Sequence, residues 1–265
     1  MIYRVEMNRW RHEKYIIIIL VLIGTLFSVS GCDRVRKPSS VNNHVSAARM
    51  LFVGNSYTYG NNGVDNIING LAGSTIASRA VHGGYFLHDH VEDAATINAI
   101  QADNWKYVVL QGQSQEPIDN YGNFSAYAAK LDEIIRSVGG KTILFMTWER
   151  QDNVNSGVTT DKLATAYTRL GKTLNARVAP VGLAFARALR ERPGLSLTNA
   201  NDGSHPTVAG TYLAGCVIYA TAYGTPEGNP YSDGLSDDDK AFLQRIAIQA
   251  TNDYISQNLW LSAIN

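Results

Sequence analysis

The chain has 265 residues, 45% hydrophobic and 17% charged, which excludes an intrinsically disordered protein and leaves room for a sizeable core. Basic and acidic residues number 23 each, so the formal net charge is zero and the electrostatic footprint of a nucleic-acid binder is missing.

In chain order, Arg4, Arg9, Arg11 and Lys14 precede an apolar run from Tyr15 to Ile23 that continues more weakly through Val29. A basic start, a short apolar stretch and small residues after it describe an export signal over residues 1–31. The run is shorter than the ~20 residues of a membrane-spanning helix, so a permanent span is the second reading. The tetrad Val29-Ser30-Gly31-Cys32 resembles a bacterial lipobox, which implies cleavage before Cys32 and lipid on that residue. The expected product is an exported lipoprotein, held by its N-terminal lipid on the periplasmic or cell-surface side of a membrane. Residues 32–46 then comprise the lipidated cysteine and a flexible tether, since they are polar and aperiodic. Cys216, the other cysteine, lies in an apolar helix-like run and reads as inert core; with Cys32 lipidated, no pair is left for a disulfide.

From residue 47 to residue 265 the pattern predicts one α/β domain. Strands are expected at Arg49–Val53, Thr75–Val81, Tyr107–Gln111, Thr142–Met146 and Ala176–Val181. Helical patterns fall near 63–72, 92–102, 123–138, 160–174, 182–191, 207–223 and 237–257. Over 127–136, Ala128, Leu131, Ile134 and Ile135 share one helical face with the charges opposite. Short apolar strands alternating with amphipathic helices predict a parallel sheet covered on both faces. Ligands of such sheets bind outside the carboxyl ends of the strands. Gly54-Asn55-Ser56, Gly83-Gly84 and Gln111-Gly112-Gln113-Ser114 follow the first three strands, so all three land on that rim.

Near the other end stands Asp202-Gly203-Ser204-His205-Pro206. Pro206 suits the first position of the helix that follows, and the residue before a proline is pushed out of helical geometry, so His205 is expected in the loop at the helix start. Asp202, across a glycine-containing bend, can fold back to hold the imidazole. An acid so placed fixes the ring's tautomer and stabilises imidazolium. With Ser56, the pair would complete a triad in the order Ser, Asp, His.

Gly54-Asn55-Ser56 early in the domain and Asp202-x-x-His205-Pro206 late in it resemble the SGNH (GDSL-like) hydrolase superfamily over residues 47–257. The resemblance implies a flavodoxin-like three-layer α/β/α sandwich around a mostly parallel five-stranded sheet. It also implies an esterase-type activity with no cofactor or metal. Ser56 becomes the nucleophile, His205 the general base and Asp202 its orienting acid. The oxyanion hole would comprise the Ser56 N–H, a glycine N–H after the second strand (Gly84, with Gly83 the alternative) and a side-chain amide after the third. There the superfamily has Gly-x-Asn, whereas this chain has Gln111-Gly112-Gln113-Ser114. Alignment on the strand end selects Gln113, with Gln111 and Ser114 as competitors. The altered block also motivates a second reading, a glycan- or envelope-binding lipoprotein without turnover. A lipid esterase or an O-acyltransferase would use the same machinery as an esterase for acetylated glycans.

Tyr57, beside Ser56, and Trp148 and Glu149, after the fourth strand, are candidate substrate contacts, because an aromatic ring there can stack on a sugar. His82, His88, Asp89 and His90 contain metal-ligand types, but no HExxH pattern or cysteine pair accompanies them. They read as polar loop residues beside the rim.

Overall fold

The structure, a computed structural model, describes residues 48–152 and 157–258. The expected export signal, lipidated Cys32 and tether fall on residues outside the described ones. The sheet is built from β1 (Met50–Gly54), β2 (Ala77–Val81), β3 (Tyr107–Leu110), β4 (Lys141–Phe145) and β5 (Arg177–Ala179). Every pairing is parallel and the strand order is β2-β1-β3-β4-β5, the flavodoxin-like order. Register sets Val53 opposite both Ala80 and Leu110. The first three strands therefore end side by side, and the loops leaving them share one rim.

Runs such as Met50-Leu-Phe-Val and Tyr107-Val-Val-Leu are apolar throughout because both faces of the sheet are covered. Alternate side chains point to opposite faces. Met50, Phe52, Val109, Ile143 and Phe145 join one core with α2 (Val64–Ala72), α8 (Val181–Glu191), α9 (Val208–Ala222) and α10 (Asp237–Gln257). Leu51, Val53, Val108, Leu110 and Leu144 join the other with α3 (Leu87–Glu92), α4 (Ala94–Gln101), α6 (Tyr121–Ser137) and α7 (Thr160–Leu174). Cys216 is buried in the first core, and burial raises its thiol pKa well above the ordinary value, which leaves it unreactive.

The predicted long elements match within one or two residues at most ends. Three short helices went unpredicted: α1 (Ser56–Tyr59), α3 and α5 (Glu116–Asp119). The expected helix start at Pro206 is corrected. Thr207 is the N-cap, its hydroxyl accepting from Gly210 N at 3.2 Å, and α9 begins at Val208. Pro206 instead forms an antiparallel bridge with Thr198. A threonine hydroxyl can accept the orphan amide of a first turn, and a proline at N1 has no such group to offer.

Candidate active site

The turn after β1 is held by its own side chains. A Cβ on Gly54 would lie 2.7 Å from Gln111 Oε1 and 2.8 Å from Thr58 Oγ1, so only glycine fits the strand end. Asn55 caps α1: its Oδ1 accepts from Tyr57 N at 3.2 Å and its Nδ2 donates to Tyr85 O at 2.9 Å. Its own N–H donates to Gln111 Oε1 at 2.8 Å. Ser56 thus occupies the first position of a one-turn helix, where a backbone N–H has no acceptor within the helix. Beneath the turn, fully buried His90 lies with Nε2 3.0 Å from Gly54 O and Nδ1 2.9 Å from Thr96 Oγ1. Burial, against the pull of the Gly54 carbonyl, depresses its pKa to about 4. A carbonyl only accepts, so the neutral ring donates from Nε2 to Gly54 O, while the Thr96 hydroxyl gives its proton to Asp93 Oδ2 at 2.8 Å.

The second turn is equally specified. Gly203 has φ +58°, and a Cβ there would lie 2.5 Å from Asp152 N. Asn199 N donates to His205 O and Gly203 N to Asn199 O, both at 2.7 Å, which closes the loop. Asp202 Oδ1 accepts from Ser204 N at 2.8 Å and His205 N at 2.9 Å, and its Oδ2 lies 2.9 Å from His205 Nδ1. Partial burial works against the charge of Asp202, but those two amides and the imidazole outweigh it and hold the carboxyl below its ordinary pKa. Since a carboxylate only accepts, Nδ1 carries the proton and Nε2 presents a lone pair. That Nε2 lies 2.9 Å from Ser56 Oγ. The fold thus joins Ser56, His205 and Asp202, far apart in sequence, into one hydrogen-bonded chain.

This chain opens onto a cleft of about 390 Å³ on the predicted rim. Gly83 and Gly84 line one side, Gln113 and Ser114 another. Gly84 has φ +74°, a conformation that favours glycine. Gln113 Oε1 accepts from Gln115 N at 2.8 Å and Glu116 N at 3.2 Å, which fixes the amide so that its NH2 group is left to donate elsewhere. Gln111, one of its two competitors, is buried, and its Oε1 is committed to Asn55 N and to Thr58 Oγ1 at 3.1 Å. It shapes the turn that carries Ser56 and does not line the cleft.

No family model matches the sequence, and no curated protein matches it. Solved structures do. A protein from Slackia heliotrinireducens assigned to the SGNH hydrolases superposes with a TM-score of 0.58 at 26% identity, covering 66% of this chain and 98% of that one. A DUF4886 family protein from Bacteroides uniformis superposes with a TM-score of 0.60 at 18% identity, covering 77% and 94%. The acetylxylan esterase Axe2 from Geobacillus stearothermophilus gives a TM-score of 0.50 at 16% identity, covering 67% and 94%. The chain has the SGNH (GDSL-like) hydrolase fold.

On this SGNH fold several expected contacts move. Trp148 is not a substrate platform: it is 1% exposed, stacked between Tyr57 (ring centroids 4.4 Å) and Phe185 (4.3 Å), below the cleft. Glu149 does not reach the cleft either. Its Oε2 accepts from Thr160 N at 2.8 Å and so secures the first turn of α7. Tyr57 lines the cleft but is buried, with its hydroxyl turned to Ser204. His90 is no rim residue but a support beneath β1, while His88 Nε2 lies 3.1 Å from Asp89 Oδ1. Among the described residues no three His, Cys, Asp or Glu side chains gather as a metal site. Sequence reasoning passed over Arg150 and Ser204, which line the cleft together with Tyr59, the aromatic paired with Tyr57 beside Ser56. Tyr59 falls one helical turn from Asn55 and Ser204 lies inside the Asp-x-x-His motif, so both carried a positional signal; Arg150 carried none.

Proposed function

We propose that this chain is a serine ester hydrolase that removes short acyl groups, O-acetyl groups of a glycan foremost, by an acyl-enzyme mechanism. The observation that carries the reading is the hydrogen-bonded chain Asp202–His205–Ser56 ending at an open cleft. Ser56 Oγ attacks the acyl carbonyl and its proton passes to His205 Nε2. The imidazolium, paired with Asp202, returns that proton to the departing alcohol as the C–O bond breaks. Water then attacks the acyl-enzyme, gives its proton to His205 and releases the acid, and the proton returns to Ser56. The oxyanion of each tetrahedral intermediate is held by the N–H groups of Ser56 and Gly84 and by the Gln113 side-chain amide.

The lining of the cleft favours a short acyl group. Among the described residues it contains Gly, Ser, Asn, Gln, Tyr, Arg and His but no aliphatic side chain. A long acyl chain would find no apolar lane to enter, whereas hydroxyl-rich substrates meet donors and acceptors. Axe2, with the same fold, acts on acetylated xylan according to its description, which agrees with a glycan ester. Lipidation of Cys32 would hold the enzyme at a membrane surface outside the cytoplasm, within reach of envelope or extracellular glycans.

The test is hydrolysis of p-nitrophenyl acetate and of acetylated xylo-oligosaccharides by the full-length protein in detergent. Ser56→Ala and His205→Ala should abolish turnover, and Asp202→Asn should lower kcat by on the order of 10²–10⁴-fold. Equal rates in wild type and Ser56→Ala would refute the assignment.

A further inference from the structure

Ser204 stands between Asp202 and His205, and two aromatic side chains grip it from below. The Tyr57 hydroxyl lies 2.5 Å from Ser204 Oγ, and Trp148 Nε1 donates to Ser204 O at 3.0 Å. All three residues are buried. Tyr57 directly follows Ser56, and its ring meets the His205 ring edge-on with centroids 5.7 Å apart. Below it, Tyr57, Trp148 and Phe185 form a nearly parallel stack, with interplanar angles of 3° and 6°. Burial raises the Tyr57 phenol's pKa, and hydrogen bonding to Ser204 and Ser114 opposes the rise without cancelling it. The hydroxyl therefore stays protonated.

One side chain thus joins the turn that carries the nucleophile to the turn that carries the base. Asp202 and His205 are well exposed, at 39% and 48% of their side chains, so solvent-side packing does little to hold them. Their placement has to be fixed from underneath. We propose that Tyr57 is a positioning residue: with Trp148 it clamps Ser204 and so sets the distance from His205 Nε2 to Ser56 Oγ. This role rests on the ester-hydrolase reading of the same site. A displacement of the base by an ångström is costly to a proton transfer, so loosening the clamp should slow chemistry more than binding.

The test compares Tyr57→Phe, Ser204→Ala, Ser204→Thr and the double variant Tyr57→Phe/Ser204→Ala with wild type, as full-length protein in detergent. Tyr57→Phe keeps the stacked ring and removes only the hydroxyl. Each of Tyr57→Phe and Ser204→Ala should lower kcat for p-nitrophenyl acetate about tenfold with KM unchanged. The double variant should be no slower than the worse single one, because the two remove one interaction. Ser204→Thr, which retains the hydroxyl, should recover most of the rate. Hydrogen exchange provides a readout that needs no turnover: peptides spanning 199–206 should exchange faster in Tyr57→Phe, while the β1 and β3 peptides stay as in wild type. Active wild type with unchanged kcat in Tyr57→Phe, or unchanged exchange over 199–206, would overturn the clamp. An inactive wild type would refute the hydrolase reading, and the exchange result would still decide whether Tyr57 holds the loop.

Discussion

Two glutamines, two positions apart in sequence, divide the labour of the third loop. Gln113 lines the cleft with its carbonyl oxygen anchored to backbone amides, while Gln111 points down and receives Asn55 N and the Thr58 hydroxyl. Gln113→Ala should cost 10²–10³-fold in kcat, roughly the effect of one lost oxyanion donor, with an unchanged urea midpoint. Gln111→Ala leaves a buried amide without its acceptor and should destabilise by about 2 kcal/mol. Steady-state kinetics and urea unfolding of both variants check this; the opposite pairing of effects would reverse the assignment. At this scale Ser56, Asp202 and His205 were legible because glycine and proline mark their turns. Trp148 was not, since a tryptophan just past a strand reads the same whether its ring faces the cleft or the core. Only the stack with Tyr57 and Phe185, from distant parts of the chain, turned it inward.

At the scale of elements, long segments were legible and short ones were not. β1 and β3 are unbroken apolar runs, and α6, α7 and α8 show a full helical period. α1 and α5 have 4 residues and α3 has 6, too few to display a period, and all are fixed by local caps or tertiary contacts. The start of α9 shows how capping chemistry moves a boundary. Thr207 is both the N-cap and a donor, its hydroxyl giving its proton to Ser196 O at 2.8 Å while accepting from Gly210 N. Thr207→Ala should destabilise by ~1 kcal/mol, seen as a lower Tm, and more than Pro206→Ala does. A larger loss for Pro206→Ala would return the boundary to the proline.

For the molecule as a whole, the buried histidine under β1 couples folding to pH. His90 has a folded pKa of about 4, against an ordinary unfolded value of ~6.5. Above the unfolded value the ring is neutral in both states and its contribution is complete. Between the two values the unfolded chain takes up a proton that the native state refuses, so stability falls as pH drops, by about 3 kcal/mol at the lower end. Urea unfolding from pH 7 to pH 4.5 should show that decline, and His90→Asn should flatten it while being less stable at pH 7. Parallel profiles for the two proteins would show that other groups carry the acid response.

The distance in sequence between Ser56 and His205 has a consequence for how the protein is made. The two side chains meet across 149 positions, and protein synthesis runs from the N-terminus. A nascent or translocating chain displays Ser56 long before Asp202 and His205 have emerged. Throughout that interval its hydroxyl is an ordinary alcohol, with neither base nor oriented acid nearby. The Asp202–His205–Ser56 hydrogen-bonded chain forms only when the late segment docks on the early one, so until then the ribosome handles a serine without its partners.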